Sequence, residues 1–449
     1  MQLSNEIKLI IQRTLPLTLG VLAIMAVQLV DTVFIGMLGV NALNAQSLTL
    51  PFSSVIISVQ VGIGVAATCL IARYVGKKNQ PKANRVASLA LLFGGMVIST
   101  LVLTLGLLEK TLFKLFIDDK VDLAQLSEIQ HLFNSYWGIW LVSALAGAMF
   151  YFVSSVYRAN QDSNTPGKLL IASSMLNLLF DPIFIFVFDM GIAGAALASC
   201  LAFILCTVYM LVKPMAKGWF TSLAVSKEAL KDLKELVSNA IATTANQFLP
   251  AISALVSMYL IARVGPQAIA VWGIAMKMEG LLLVLSLSLT MSIPPVIASY
   301  LGNQQFDEIQ QIIKAATKLI LLLHTVIALF VMLSSAYLVE AIGGELGLDR
   351  DLHFVLVLLP LSYGPLGLCM VMVSVFNALD LAKRALVVSF IRLFVLFIPA
   401  IYLGSLFGNI QSIIIGAAAA NILAGFSAWY LMRKQWQSSD KTMHLMAAQ

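Results

Sequence analysis

Along the chain, long apolar runs alternate with short clusters of charge, glycine and proline. Breaking at those clusters leaves twelve apolar stretches, at 14–38, 47–75, 86–108, 129–157, 168–188, 191–213, 234–262, 269–299, 312–338, 352–378, 384–406 and 411–432. Each is long enough to cross a hydrocarbon core, which takes about 20 residues of helix. The pattern predicts an all-α polytopic membrane protein with twelve transmembrane helices, several of them joined by very short turns.

The second half repeats the first. Shifted by 226 residues, Ile35-Gly36-Met37-Leu38-Gly39 meets Ile261-Ala262-Arg263-Val264-Gly265, and Leu70-Ile71-Ala72-Arg73-Tyr74-Val75-Gly76 meets Val296-Ile297-Ala298-Ser299-Tyr300-Leu301-Gly302. Further along the offset drifts to 217–222, pairing Ser155-Val156-Tyr157-Arg158-Ala159 with Ser374-Val375-Phe376-Asn377-Ala378, then Gly194-Ala195-Ala196 with Gly416-Ala417-Ala418. Six helices per half bring both halves into the membrane in the same sense, as two six-helix bundles related by a parallel pseudo-two-fold repeat. The expected organisation is an N-lobe over 1–213 with helices 1–6, a cytoplasmic linker over 214–234, and a C-lobe over 235–449 with helices 7–12. Two such bundles around a cleft are a usual setting for alternating access.

Composition narrows the class. Of the 449 residues, 60% are hydrophobic and 11% charged, where a soluble domain has about 45–50% and about 25%. The missing charges are those that solvate a surface, so much of this surface faces lipid. A soluble enzyme, a disordered chain and a nucleic-acid binder are excluded. The net charge of +6 reflects topology: 21 basic residues fall with the termini and the loops near 76–85, 158–168, 213–234, 300–318 and 379–384. The opposite side holds five, Lys110, Lys114, Lys120, Arg263 and Arg350. The positive-inside rule then places both termini in the cytoplasm of a multi-pass protein of the cell inner (plasma) membrane. The two larger outer loops, 109–128 and 340–353, carry nine acids against four bases. The N-terminal segment has acid and base ahead of its apolar run and no small-residue cleavage site, so it reads as an uncleaved anchor. Cys69, Cys200, Cys206 and Cys369 all lie in apolar runs and read as buried hydrophobes.

Ionisable residues at membrane depth are costly and mark candidate sites. Three of the 22 acids fall there: Asp31 in helix 1, Asp181 in helix 5, and Glu279. Asn177 and Asp181 are four apart and share a helix face. Pro182 removes a backbone donor and frees the carbonyl of Leu178. In the repeat Asp31 meets Ser257, Asp181 meets Ile398 and Asn177 meets Phe394, so the acidic chemistry is confined to the N-lobe. Two carboxyls in a poorly solvated site cannot easily both ionise and are expected to share a proton. Such a pair carries a proton across, or binds Na+ through the carboxylates and the Asn carbonyl, or simply joins helix 1 to helix 5 by hydrogen bonds. Lys277, Glu279 and Arg392 form a second candidate polar site, in the C-lobe. Lys277 lies on a different helical face from Glu279, and an inter-helix ion pair is expected for the acid.

Other motifs are weaker. Gly62-Ile63-Gly64 reads as a packing surface, no nucleotide loop occurs, and His131, His324, His353 and His444 make no metal pattern. No cofactor is expected. Energy would come from an ion gradient or another chain. Met25, Met276, Met278, Met291, Met370 and Met372 are among 19 methionines that suit an adaptable apolar surface or ordinary packing.

Val30-Asp31-Thr32-Val33-Phe34-Ile35-Gly36-Met37-Leu38-Gly39 resembles the signature of the multidrug and toxic compound extrusion (MATE) family. So do Ala72-Arg73-Tyr74-Val75-Gly76 and Gly191-Ile192-Ala193-Gly194-Ala195-Ala196-Leu197-Ala198. The helix 1 acid with the Asn-x-x-x-Asp of helix 5 is similar to the DinF-like branch. That resemblance implies an N-lobe network of Asp31, Asn177, Asp181 and Ser199, the last where the family often has Thr. It also implies that Pro16 permits helix 1 to bend, although at 1.5 Å per residue it lies roughly 22 Å from Asp31. The Na+-driven NorM-like branch is associated with acids in helices 7 and 10. Here helix 10 has none, and helix 7 has only Glu235 at its entrance, which favours protons.

The expected function is multidrug efflux by drug/proton antiport. The partners are small-molecule drugs and amphipathic organic cations, the setting is the lipid bilayer, and a monomer is expected. Na+-coupled drug antiport on the same site and a lipid-linked precursor flippase are the alternatives. The flippase would need more cationic residues than Lys277 and Arg392 in its helices. A membrane enzyme would need a clustered acid, histidine or metal constellation, and none is visible.

Overall fold

A computed structural model describes residues 5–116, 123–221, 226–343 and 348–447. Lys120 and parts of the loops 109–128 and 340–353 and of the linker 214–234 lie outside the described residues. Within them every regular element is a helix. Twelve spans are long and apolar enough to cross a membrane. The first six are α1 (Asn5–Met37), α2 (Leu50–Gly76), α3 (Gln80–Leu107), α4 (Leu123–Ala159), α5 (Asn164–Pro182) and α6 (Ile192–Ala216). The second six are α7 (Lys227–Ala262), α8 (Val284–Gly302), α9 (Phe306–Leu333), α10 (Asp349–Ala378), α11, the span Ala382–Ser405 that opens with the helix Ala382–Phe390, and α12 (Ile410–Ala447). Leu103, Val208, Leu255 and Phe330 are among many large apolar side chains left exposed. Lipid requires that, because a helix satisfies its backbone internally and only side chains meet the hydrocarbon.

Several spans are interrupted. The expected stretch 269–299 is two helices, Pro266–Leu282 and α8, parted at Leu283. A short helix, Val40–Ser47, precedes α2. After Pro182, α5 widens into a π-helical segment, Ile183–Val187. Proline has no N–H to return to the carbonyl four residues back, and a wider turn is one way to absorb the loss. In the repeat-matched span a π-helical segment, Ile391–Phe397, comes before Pro399, which opens the helix Ile398–Ser405.

Backbone geometry carries the repeat. Gly39 and Gly265, matched in the sequence, both have positive φ, 114° and 142°, and both cap a following helix. Lys78 and Gln304, matched at the same offset, have φ of 56° and 61°. Gly194 of α6 faces the backbone of Phe184 and Ile185, and its counterpart Gly416 of α12 faces that of Ala400. A side chain at either would collide with main chain, so the repeated Gly-Ala-Ala motif marks two close helix crossings. Gly62 and Gly64 likewise admit Thr244 and Tyr151, the packing surface expected of them.

By packing, the chain divides into two compact units. One, the N-unit, is Leu15–Gln247; the other, the C-unit, is Met1–Thr14 with Phe248–Gln449. The lobes read from the sequence divide at the linker over 214–234. Much of that linker is helix: α6 runs on to Ala216, and α7 begins at Lys227. From Lys227 onward α7 is amphipathic, with Ala229, Leu236 and Ala240 buried. All four cysteines are free and buried.

Candidate functional site

Within the N-unit, α5 and α6 are drawn together at Gly194, and this sets the polar residues of the two helices against one another. Asn177 and Asp181 stand one turn apart on the inner face of α5, and both are buried. The Asn177 amide nitrogen donates to Asp181 Oδ1 at 3.3 Å and to Ser199 Oγ of α6 at 2.9 Å. Asp31, on α1, is half-buried and close enough to Asp181 for the two carboxyls to repel when both are charged. Asp31 Oδ1 and Asp181 Oδ2 are buried and hydrogen-bond no protein atom among the described residues. The four residues singled out from the sequence thus lie on three neighbouring elements as one polar cluster.

An unpaired carboxylate away from water is strongly disfavoured, so such a group takes up a proton or a cation. The donor set offers carboxylate, amide and hydroxyl oxygens, which suit a hard cation as well as a proton. Among the described residues no three His, Cys, Asp or Glu side chains come together to hold a resident metal.

Sequence reasoning missed one neighbour. Tyr136 of α4 is buried, hydrogen-bonds Gln46 of the Val40–Ser47 helix, and feels the charges of both Asp31 and Asp181. A lone Tyr in an apolar run carries no spacing signal, so only the packing of α4 reveals it. Aromatic rings border the cluster: Phe34 of α1 meets Phe186 edge-on at 6.1 Å, and Phe180, Phe184 and Phe188 form a ladder along α5 and its π segment.

Pro16 lies inside a continuous α1, just past the point where packing passes from one unit to the other. Its backbone rests on Gly167 of α5. Pro182 ends α5 one residue after Asp181.

In the C-unit the expected ion pair does not form. Among the described residues no cation lies within 4.0 Å of Glu279; Arg392 attracts it from further away, and Lys277 is exposed on another face. The two helices carrying them set this spacing, which sequence separation could not reveal. Arg158, counted with a loop in the sequence, is instead buried in the last turn of α4, where it donates to Ser154 and Ser155 at 3.0 and 2.9 Å.

Twelve apolar spans, an internal repeat and a buried acidic cluster define a membrane transporter and not an enzyme. The sequence matches the MatE family over residues 16–183 and 242–403, and the chain belongs to that family. Among solved structures it is similar to the Vibrio cholerae MATE transporter VcmN in the bent form, with 37% identity and a TM-score of 0.91, covering 96% of this chain and 97% of that one. It is 25% identical over 441 residues to the FAD transporter of Shewanella oneidensis, covering 95% of this chain and 94% of that protein. It is 26% identical over 320 residues to the multidrug export protein MepA of Staphylococcus aureus, covering 70% and 68%.

Proposed function

We propose that this transporter exports amphipathic organic cations from the cytoplasm across the cell membrane in exchange for protons, by alternating access. The observation that carries the reading is the pair of buried carboxylate oxygens, Asp31 Oδ1 and Asp181 Oδ2, without protein partners on adjoining helices. With the cluster deprotonated, its negative charge attracts a cationic compound. Proton uptake from outside removes that charge and supplies an O–H donor, so the cation's attraction falls and release follows. The proton then leaves inward. One proton entering for one monovalent cation leaving moves no net charge and is driven by the pH gradient, and each further proton adds about 2.3 kcal/mol per 100 mV of membrane potential. Drug export by MepA is in keeping with the substrate class.

A second reading is favoured by the match to the FAD transporter over 95% of this chain. On it, the substrate is an anionic dinucleotide, and the acidic cluster serves coupling alone.

Everted membrane vesicles test both. With a proton gradient and no Na+, cationic dye should accumulate in wild-type vesicles and not in those carrying Asp31→Asn. Full accumulation with a folded Asp31→Asn protein overturns the reading. A Na+ gradient that drives dye by itself would make the carboxylates a Na+ site. Uptake of flavin dinucleotide in place of dye would establish the second reading.

A further inference from the structure

The polar residues of the N-unit form a second cluster that the transport reading does not use. It joins the first turns of α7 to the junction of α2 and α3. Lys82 Nζ lies 3.1 Å from Asp232 Oδ1 and 3.4 Å from Glu235 Oε2. Arg85 donates from Nε to Asp232 Oδ2 at 2.6 Å and from Nη1 to Glu228 Oε2 at 3.0 Å. Tyr74 donates its hydroxyl to Glu235, at 2.9 Å to the nearer oxygen, and the Lys82 ammonium sits 4.1 Å above the Tyr74 ring. The Asp232 side chain is only 3% exposed.

This is an unexpected attachment. By the sequence repeat, α7 is the first helix of the second half. By packing, its residues as far as Gln247 belong with the first half, and the remainder belongs to the C-unit. Pro250 lies in α7 three residues past that division, and a proline within a helix removes a backbone bond and permits a bend there. The opposite arrangement holds at the start of α1, whose residues up to Thr14 pack in the C-unit. There Thr14 Oγ1 meets Ser292 Oγ at 2.7 Å, and Glu6 and Arg13 bear on Tyr300, the counterpart of Tyr74. Pro16 follows the division at that end. Two helices therefore each lend an arm to the other unit, and each arm ends near a proline.

We propose that Lys82, Arg85, Asp232 and Glu235 form an ionic latch that holds the Lys227–Gln247 arm of α7 against α2 and α3 and opens during the cycle. The chemistry suits a contact that is made and broken. Beyond the charges, the arm meets α2 through Gly62, whose carbonyl accepts from Thr243 Oγ1 at 2.7 Å. Besides that glycine contact, the apolar side chains the arm buries are Ala229, Leu236 and Ala240, so separation exposes little hydrocarbon. The charged groups stand in the first turns of α3 and α7, where water reaching them on opening relieves the desolvation of the buried Asp232. An apolar joint would have to expose its hydrocarbon at full cost.

The latch is tested by motion and not by export, so its failure is separate from that of the antiport reading. Spin labels at Lys77→Cys and Lys231→Cys, both exposed positions, report the distance between the α2 end and the arm in proteoliposomes by pulsed electron resonance. The unmutated latch should give two distances with the shorter dominant. Lys82→Gln with Arg85→Gln should raise the longer population roughly fivefold or more, as expected for losing a partner that biases a two-state element. Lys82→Arg with Arg85→Lys, which keeps both positive charges opposite Asp232 and Glu235, should keep the original distribution. If the neutralised protein does not fold, salt decides on the unmutated latch. Raising ionic strength from about 0.01 to about 1 M shortens the screening length from about 30 to about 3 Å and should populate the longer distance. A single distance that neither neutralisation nor salt changes overturns the proposal.

Discussion

Asn177 of α5 donates its amide to the hydroxyl of Ser199 on α6 at 2.9 Å. That bond fixes the amide so that it also reaches Asp181, and it ties the acidic face of α5 to its neighbour. The site therefore depends on a hydroxyl at position 199 and not on serine as such. Ser199→Thr should keep export within about twofold, whereas Ser199→Ala frees the amide and should slow it by roughly tenfold, since losing a buried partner costs on the order of 1–3 kcal/mol. Initial rates of dye export in vesicles check both. Equal rates in the Thr and Ala variants would count against the network.

Asn177→Ala goes further, because it removes the amide that donates to Asp181 Oδ1. Export should fall by about tenfold or more, on the same cost for an unsatisfied buried acceptor. Its pH dependence should differ from that of wild type, since the carboxyl loses this hydrogen-bond donor. An unshifted pH profile would make Asn177 a packing residue.

The close approach of α5 and α6 predicts a structural sensitivity. A Cβ at Gly194 would lie 2.6 Å from the carbonyl carbon of Phe184 and 2.8 Å from the nitrogen of Ile185. Backbone cannot yield as a side chain can, so Gly194→Ala should destabilise the protein by about 1–3 kcal/mol or more. Gly416→Ala should do the same, against the carbonyl of Ala400. Gly138 has open space around it, and Gly138→Ala should be tolerated. Thermal unfolding in detergent ranks the three.

Much of this was legible beforehand, for physical reasons. Span length against bilayer thickness is a strong constraint, and the i, i+4 spacing of Asn177 and Asp181 fixes a shared face whatever surrounds them. The repeat was visible because Gly39 and Gly265 are held by the same positive-φ turn. What escaped was decided by tertiary packing. The first turns of α7 carry Lys227, Glu228, Lys231, Asp232, Lys234 and Glu235, which lower their hydropathy, yet Glu228, Asp232 and Glu235 are paired across to Lys82 and Arg85 of α3. The distance between Glu279 and Arg392 and the place of Tyr136 depend on how helices far apart in sequence cross. No local pattern encodes either.

A polar contact outside the spans gives a pH prediction. Between α4 and α5, Asp162 accepts from Lys213 and from the amide and hydroxyl of Thr165. Burial opposes its ionisation, but these donors outweigh it and hold the carboxyl below the usual carboxylate range. The unfolded group titrates near 3.9, so the stabilisation is fully present above about pH 4 and is lost as pH falls through the lower folded value. Lys213→Ala should weaken that acid-side loss. Unfolding midpoints between about pH 2 and about pH 5 reveal it, and identical curves for the variant and wild type would remove Lys213 from the account.

The central claim is that the N-unit carboxyls exchange protons for an organic cation. Its most direct measurement is proton movement in Na+-free proteoliposomes holding a pH-sensitive dye, after an organic-cation gradient is imposed. Wild-type protein should move protons against the cation gradient, and Asp31→Asn should move none above empty liposomes. Proton movement by Asp31→Asn equal to that of wild type would contradict the claim.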